Sequence, residues 1–242
     1  MEEPDRVDGL RQKLLRYKPS TATAQLVQQT PILLLVGISG AGKDSIKTKL
    51  LATGNYHHII SHTTRPPREN RGILERDGVE YHFINLAQAE KMLDEGAYVE
   101  AKMYSGNVYG TSVAEIQAAH DEGKIAVTDL EVQGVAEYKA MAPDSVYAVF
   151  ILPPDYDTWQ ERLKSRYGDS IHQHDLHKRM HTAKLELQDA LEKNYFRFVI
   201  NDELGQTVEA VDEIAHGASA GKESDEGRHV AQEILARLEA AL

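Results

Sequence analysis

The chain is 242 residues long, 41% apolar and 27% charged, a balance that suits a packed globular protein and excludes disorder, coiled coil or collagen as a description of the whole. Thirty-eight Asp and Glu against 27 Lys and Arg leave a formal charge of −11, which argues against nucleic-acid polymers and anionic membranes, since either needs a basic face. There is no Cys, so disulfides, thiol nucleophiles and thiolate metal sites are excluded.

Met1-Glu2-Glu3-Pro4-Asp5 lacks the basic start and apolar run of a signal peptide. No apolar stretch nears the roughly 20 residues of a membrane span, and a cytoplasmic protein is expected.

The first 30 residues are polar, with a modest apolar repeat (Leu10, Leu14, Leu15) and a Pro-Ser-Thr break at 19–21. They read as a short helix and a connector. Ile32–Val36 is an unbroken apolar run ended by Gly37, which predicts a strand buried on both faces. A helical pattern follows over 44–51. Residues 61–110 carry little helical pattern but several turn signals and a concentration of Arg and Tyr, which predicts an inserted subdomain. Further helices are predicted over 112–122, 156–166 and 175–194, and further strands over 125–127, Val146–Leu152 and 198–200.

Strands alternating with helices predict an α/β fold with a mainly parallel sheet, in which ligands bind beyond the C-terminal ends of the strands. The segment 159–184 has six cations against three acids, a basic helical hairpin that reads as a lid. The tail over 203–242 has nine acids and three cations. It contains a Gly217-Ala218-Ser219-Ala220-Gly221 linker and a final amphipathic helix (Val230, Ile234, Leu235, Leu238).

Gly37-Ile38-Ser39-Gly40-Ala41-Gly42-Lys43 follows the first strand and opens a helix. This is the P-loop pattern G-x-x-x-x-G-K in the context it requires. Its glycines let backbone N–H groups converge on a phosphate, the helix N-terminus adds its dipole, and Lys43 reaches the β- and γ-phosphates. The usual Ser or Thr after the Lys is replaced by Asp44, with Ser45 next. A carboxylate is a hard oxygen ligand that Mg²⁺ accepts, so Asp44 is a metal candidate; the alternative is a first-turn acid stabilised by the helix dipole.

Ser61-His62-Thr63-Thr64-Arg65-Pro66-Pro67-Arg68, then Gly78-Val79-Glu80-Tyr81-His82-Phe83, resembles the GMP-binding signature of guanylate kinases. Gly106-Asn107-Val108-Tyr109-Gly110-Thr111, Asp129-Leu130-Glu131-Val132-Gln133-Gly134 and Val199-Ile200-Asn201-Asp202 extend the resemblance in order over about residues 31 to 215. It implies a P-loop kinase fold with a mainly parallel core sheet, an inserted GMP-binding α+β subdomain and a helical lid. The implied division is an extension over 1–30 and a kinase domain over 31–215, then a linker and helix over 216–242. Within the domain the core takes 31–60, 110–158 and 185–215, the GMP-binding part 61–109 and the lid 159–184.

The implied reaction is ATP + GMP → ADP + GDP, with dGMP also accepted and Mg²⁺ as cofactor. ATP would be held by Gly37, Ser39, Gly40, Ala41, Gly42, Lys43, Asp44 and Ser45, with Asn201 on the adenine. Arg65 and Arg68 can make charge-assisted bonds to the GMP phosphate, and Tyr81 and Tyr109 can add hydroxyl donors. Guanine offers N1–H and an exocyclic amine, which a fixed carboxylate meets. The resemblance gives that role to Glu100, the O6/N7 edge to Ser61 and Thr111, and a supporting part in base reading to Glu131. Asp129 falls at the implied metal position with Asp44. Arg162, Arg166 and Arg179 match arginines brought onto the transferring phosphoryl group, so they and Lys43 form the implied catalytic set; such transfer needs alignment and charge neutralisation rather than a protein nucleophile. The implied place is purine nucleotide metabolism, with ATP and GMP as partners, no nucleic acid or membrane, and a monomer or homodimer left open.

Two features depart from the pattern. The connection between Arg68 and Gly78 is enlarged to Glu69–Asp77, with Glu75 in the place of a family glutamate and Arg71 and Arg76 as added cations. Lys43-Asp44-Ser45 also resembles ribose 1,5-bisphosphate kinases, but a sugar-phosphate kinase has no use for a base-reading set. A non-catalytic guanylate-kinase-like binding module is the other rival; the intact P-loop weighs against it. His172, His174, His177 and His181 have spacings that could gather a metal. Without Cys or a fixed acidic partner, exposed lid histidines are the expectation.

Overall fold

The computed structural model describes residues 3–70, 72–167, 173–218 and 221–242. In chain order the elements are α1 (Glu3–Arg16), α2 (Thr21–Gln29), β1 (Ile32–Val36), α3 (Lys43–Ala52), β2 (Tyr56–His58), β3 (His62–Thr63), β4 (Glu69–Asn70), β5 (Ile73–Leu74), β6 (His82–Phe83), α4 (Leu86–Asp94) and β7 (Tyr98–Tyr104). They continue as β8 (Asn107–Ser112), α5 (Val113–Asp121), β9 (Ile125–Asp129), α6 (Val132–Met141), β10 (Val146–Leu152), α7 (Tyr156–Tyr167), α8 (Gln173–Glu192), β11 (Phe196–Ile200), α9 (Leu204–Ala215) and α10 (Gly221–Ala241). The chain divides into two compact units: a smaller one of residues 1–30 and 57–126, and a larger one of 31–56 and 127–242.

The larger unit is built on a sheet in the order β11-β10-β1-β9-β2, with the unit boundaries falling inside β9 and β2. All five residues of β1 are buried. It pairs with β10 in parallel, Ile32 opposite Val146, and β10 pairs in parallel with β11, Ala148 opposite Phe196. Strands buried on both faces in parallel pairing account for the apolar runs that mark them in the sequence. The phosphate-loop glycines begin where β1 ends, at the C-terminal edge of this sheet.

Two helices of the larger unit carry no signal among the patterns above, and in the smaller unit α2 stands where a connector is predicted. Helix α6 has a weak apolar stripe, though Val132, Val135 and Tyr138 are buried. Helix α9 starts at a Glu203 cap, whose carboxylate accepts from the N–H groups of Gly205 (3.0 Å) and Gln206 (2.8 Å).

Helix α10 is part of the larger unit's packing, lying against α8 and β11. Gly227 makes the approach possible: a Cβ there would stand 2.7 Å from the Phe198 carbonyl oxygen. The next residue, Arg228, donates to the carbonyls of Leu191 (2.8 Å) and Lys193 (3.0 Å), satisfying orphan groups at the end of α8. Of the predicted linker before this helix, Ser219 and Ala220 lie outside the described residues.

The smaller unit carries a second sheet, β6-β3-β8-β7, in which β3 and β6 are parallel and the other pairs antiparallel. Helix α4 stands in a stretch that shows little helical pattern. Its start is marked by a capping box in which Asn85 and Gln88 exchange side-chain and backbone bonds (2.9 and 2.8 Å). Helix α1 buries Leu10 and Leu14 with Ala89, Leu93 and Tyr98, so the modest repeat of the first 30 residues is a packing face. The enlarged connection over 69–77 contains a short hairpin, β4 with β5, Asn70 opposite Ile73.

Candidate active site

The phosphate loop runs from β1 into α3, all within the larger unit. Gly37, Gly40 and Gly42 hold positive φ (137°, 89° and 102°). At Gly42 the need for glycine is double, because the residue is left-handed and a Cβ would collide with the Asn201 side-chain amide. Asn201 is itself buried; its Nδ2 donates to the Ala41 carbonyl (2.8 Å) and its Oδ1 accepts from the Thr207 hydroxyl (3.3 Å). Here Asn201 therefore braces the loop from outside.

Lys43 folds back so that its ammonium donates to the carbonyls of Gly37 and Ile38. Burial holds it below the ordinary lysine range, against the pull of Glu186, Asp129 and Asp44. Ser45, exposed in the first turn of α3, donates its N–H to the Gly42 carbonyl (3.1 Å).

The basic helices come to this loop within the same unit. Trp159 of α7 is fully buried and its indole N–H donates to the Ser39 carbonyl (2.8 Å). Arg162 donates to the Asn201 carbonyl (2.9 Å), Arg166 lies 3.8 Å from the Asp44 carboxylate, and Arg179 of α8 reaches the Ser39 hydroxyl at 3.5 Å. All three predicted arginines thus meet the loop, its first-turn acid or its brace. Asp129, at the end of β9, pairs with Lys47 of α3. Burial opposes its charge, but Lys47 and Lys43 together hold the carboxyl below the ordinary carboxylate range.

Of the predicted histidines, His177 and His181 are exposed. His172, Arg71 and the side chain of His174 lie outside the described residues. Among the described residues no group of three His, Asp or Glu could hold a metal.

Glu186 has no sequence signal beyond its place on an amphipathic helix. It lines a cavity of about 280 Å³ with Ser39, Asp175, Lys178, Arg179 and Thr182. Burial pushes its pKa up to about 7, with Lys43 opposing and Glu131 adding to the rise. Glu131 itself is the exposed residue before α6, in the larger unit and apart in sequence from the rest of the predicted GMP set.

That remaining set lies in the smaller unit. Arg65 is buried, and Glu75 grips both of its terminal nitrogens (2.8 and 3.1 Å). Its guanidinium lies 5.2 Å from the centre of the Tyr81 ring, and Tyr81 packs edge-on to Tyr109 at 6.0 Å. The Glu75 bond raises the Arg65 pKa further, with Tyr109 assisting, while the same bond holds Glu75 below the ordinary carboxylate range. Glu75 also accepts the backbone N–H of Arg68 (2.8 Å), whose side chain is exposed. One carboxylate inside the enlarged connection thus fixes the Arg65 guanidinium and the Arg68 backbone. Glu75 was legible only as a residue in a family position.

Glu100 on β7 is 7% exposed and accepts the Thr111 N–H from β8 (3.1 Å). The Thr111 hydroxyl is buried and has no hydrogen-bond partner among the described residues. A bulge between Tyr98 and Glu100 sets this register: Tyr98 faces Ser112, yet Glu100 faces Thr111. Ser61 sits half-buried beside β3, its carbonyl accepting the His82 N–H (2.9 Å). Close by, Glu115 of α5 accepts the Ile60 N–H (2.8 Å) and lies 3.1 Å from His82 Nε2.

A P-loop on a parallel sheet, capped by arginine-bearing helices, defines a P-loop kinase fold. Residues 28–217 match the family profile described as Guanylate kinase. The chain is 38% identical over 182 residues to "Guanylate kinase" of Campylobacter jejuni (strain RM1221), covering 74% of this chain and 85% of that one. It is 35% identical over 179 residues to "Guanylate kinase 1" of rice, Oryza sativa subsp. japonica, spanning 73% of this chain and 45% of the rice protein. A crystal structure of guanylate kinase from Anaplasma phagocytophilum shares the fold, with a TM-score of 0.57 at 21% identity over 79% of this chain and 88% of that one. The chain belongs to the guanylate kinase family.

Proposed function

We propose that the chain is an enzyme that transfers the γ-phosphoryl group of ATP to GMP, and to dGMP, giving ADP and GDP or dGDP. The observation that carries the choice of acceptor is the buried Glu100 carboxylate beside the buried hydroxyl of Thr111, which has no hydrogen-bond partner among the described residues. A carboxylate suits the two donors of guanine's pairing edge, and a hydroxyl suits its O6/N7 edge. A site whose own polar groups stay unpaired with the wrong base rejects that base strongly.

On this reading Arg65 and Arg68, with Tyr81 and Tyr109, take the GMP phosphate, Ser61 assists Thr111, and Glu131 supports the base. The P-loop takes the phosphates of ATP and Lys43 the charge that develops on transfer. Arg162, Arg166 and Arg179 neutralise the phosphoryl group, and Asn201, whose buried amide is spent on Ala41 and Thr207 rather than left for adenine, braces the loop. No protein nucleophile is needed.

Family membership implies metal-assisted transfer, and the donor set fits Mg²⁺: Asp129 is held ionised and Asp44 stands exposed at the loop's end. Asp44 and Asp129 would hold it, and when bound Mg²⁺ would offset the negative charge of the phosphates. ATP and GMP as substrates are consistent with a cytoplasmic location.

A coupled ADP-release assay offering GMP, dGMP, AMP, UMP and ribose 1,5-bisphosphate in parallel tests the reading. Turnover with GMP and dGMP is expected. Preference for the sugar phosphate, or no turnover with GMP, overturns it.

A further inference from the structure

Tyr17 lies one residue beyond α1, outside the 28–217 stretch that matches the family. Its hydroxyl donates to the Tyr98 carbonyl and accepts the Tyr98 N–H (3.1 Å). One hydroxyl thus satisfies both backbone groups of a residue on β7, the edge strand of its sheet. These are the bonds that a further strand would supply, and an unpaired edge is free to shift its pairing. Tyr98 is also where the bulge begins, and the bulge decides that Glu100, two residues on, faces Thr111. A slip of one residue there would turn Glu100 to the opposite face of the sheet.

The support for Tyr17 comes from the same helix. Leu10 and Leu14 are buried against α4 and β7 side chains, and Lys13 pairs with Glu90 (3.0 Å) and Asp94 (2.8 Å) of α4. The ring of Tyr17 meets that of Tyr98 edge-on, 6.5 Å between centres. Helix α1 is therefore anchored by packing and ion pairs, while the Tyr17 hydroxyl reaches the backbone where β7's bulge begins.

We propose that Tyr17 is a positioning residue for guanine recognition: the N-terminal helix, which the family match does not include, acts as a clamp that holds the β7 bulge and through it the aim of Glu100. The inference rests on Glu100 reading guanine, and its test separates the two. IMP lacks the exocyclic amine of GMP, so the ratio of kcat/KM for GMP over IMP reports the aim of the carboxylate.

Tyr17→Phe keeps the ring and removes both bonds. It is expected to lower the GMP/IMP ratio about five- to tenfold, raising the KM for GMP while the KM for ATP stays within about twofold, the scale of one neutral hydrogen bond. Exchange of the Tyr98 amide hydrogen should accelerate in step. Lys13→Met, which loosens α1 without touching the Tyr17 bonds, should lower the melting temperature and leave the ratio unchanged.

If Tyr17→Phe leaves the ratio intact while Glu100→Gln collapses it, Tyr17 is packing alone and the proposal fails. An equal loss of ratio in Lys13→Met also overturns it, since helix docking in general would then be responsible. If Glu100→Gln itself leaves the ratio unchanged, the base-reading assignment falls and this inference with it.

Discussion

The phosphate loop of the larger unit holds its shape with backbone, whereas the strands of the smaller unit proposed to read guanine hold theirs with side chains. In the loop, three glycines at positive φ and a helix N-terminus supply the geometry, and Asn201 and Trp159 brace it through carbonyl oxygens. On β7 and β8 the geometry depends on a bulge, a buried carboxylate and a hydroxyl with no hydrogen-bond partner among the described residues. A site of the first kind recognises any polyphosphate and fails when its backbone is crowded. A site of the second kind discriminates among bases and fails when one functional group changes. On the proposed assignment the donor side is thus general and the acceptor side selective.

The sharpest way to break that contrast is at Lys43. Lys43→Met removes the one side-chain charge buried in the loop, and kcat should fall about 10³-fold, the scale of a lost charge-stabilising donor. Measured by single-turnover kinetics, a loss below tenfold would mean the loop acts by backbone alone. Next comes Glu100→Gln, which replaces an acceptor for two donors with one that offers an N–H of its own. The KM for GMP should rise about 100-fold with the KM for ATP unchanged; equal effects on both would make Glu100 structural.

A smaller effect is expected at Glu75, which orients Arg65 and the Arg68 backbone but is not assigned to the substrate. Glu75→Gln weakens the hold on a buried guanidinium, and urea unfolding should show a loss of about 2 kcal/mol. The KM for GMP should rise with it, because the arginine loses its fixed plane.

The smallest effect is one of pH. His62 is kept neutral by burial, with His82 adding to the effect, so its pKa drops from 6.5 to about 4. Between those values the unfolded chain binds a proton that the folded chain does not, so this contribution to stability is complete above about pH 6.5 and is lost as the pH falls toward 4. Allowing for partial exposure, it should amount to about 1–2 kcal/mol, read as a stability difference that His62→Asn abolishes.

What was legible in the sequence follows the same divide. Ile32–Val36 and Val146–Leu152 are strands with the limits their apolar runs predict, and the P-loop is a pattern of backbone requirements that a sequence displays directly. Helix α4 had a visible signal in Asn85 and Gln88, while α6 has too weak an apolar stripe to announce itself. The guanine side was legible only through resemblance: alone, Glu100 reads as one more strand residue. Glu186 and Tyr17 were not legible at all, because the raised pKa of one and the double backbone contact of the other are made by residues distant in sequence. Asn201 was named through the resemblance, but its bond to the Ala41 carbonyl is one that no local pattern encodes.

Calorimetric titration of GMP and of a non-hydrolysable ATP analogue into Lys43→Met and Glu100→Gln tests the division most directly. The expected result is a crossed pattern: Lys43→Met binds GMP normally and the ATP analogue weakly, and Glu100→Gln does the reverse. Loss of both ligands in either variant would contradict the separation of a general donor side from a selective acceptor side.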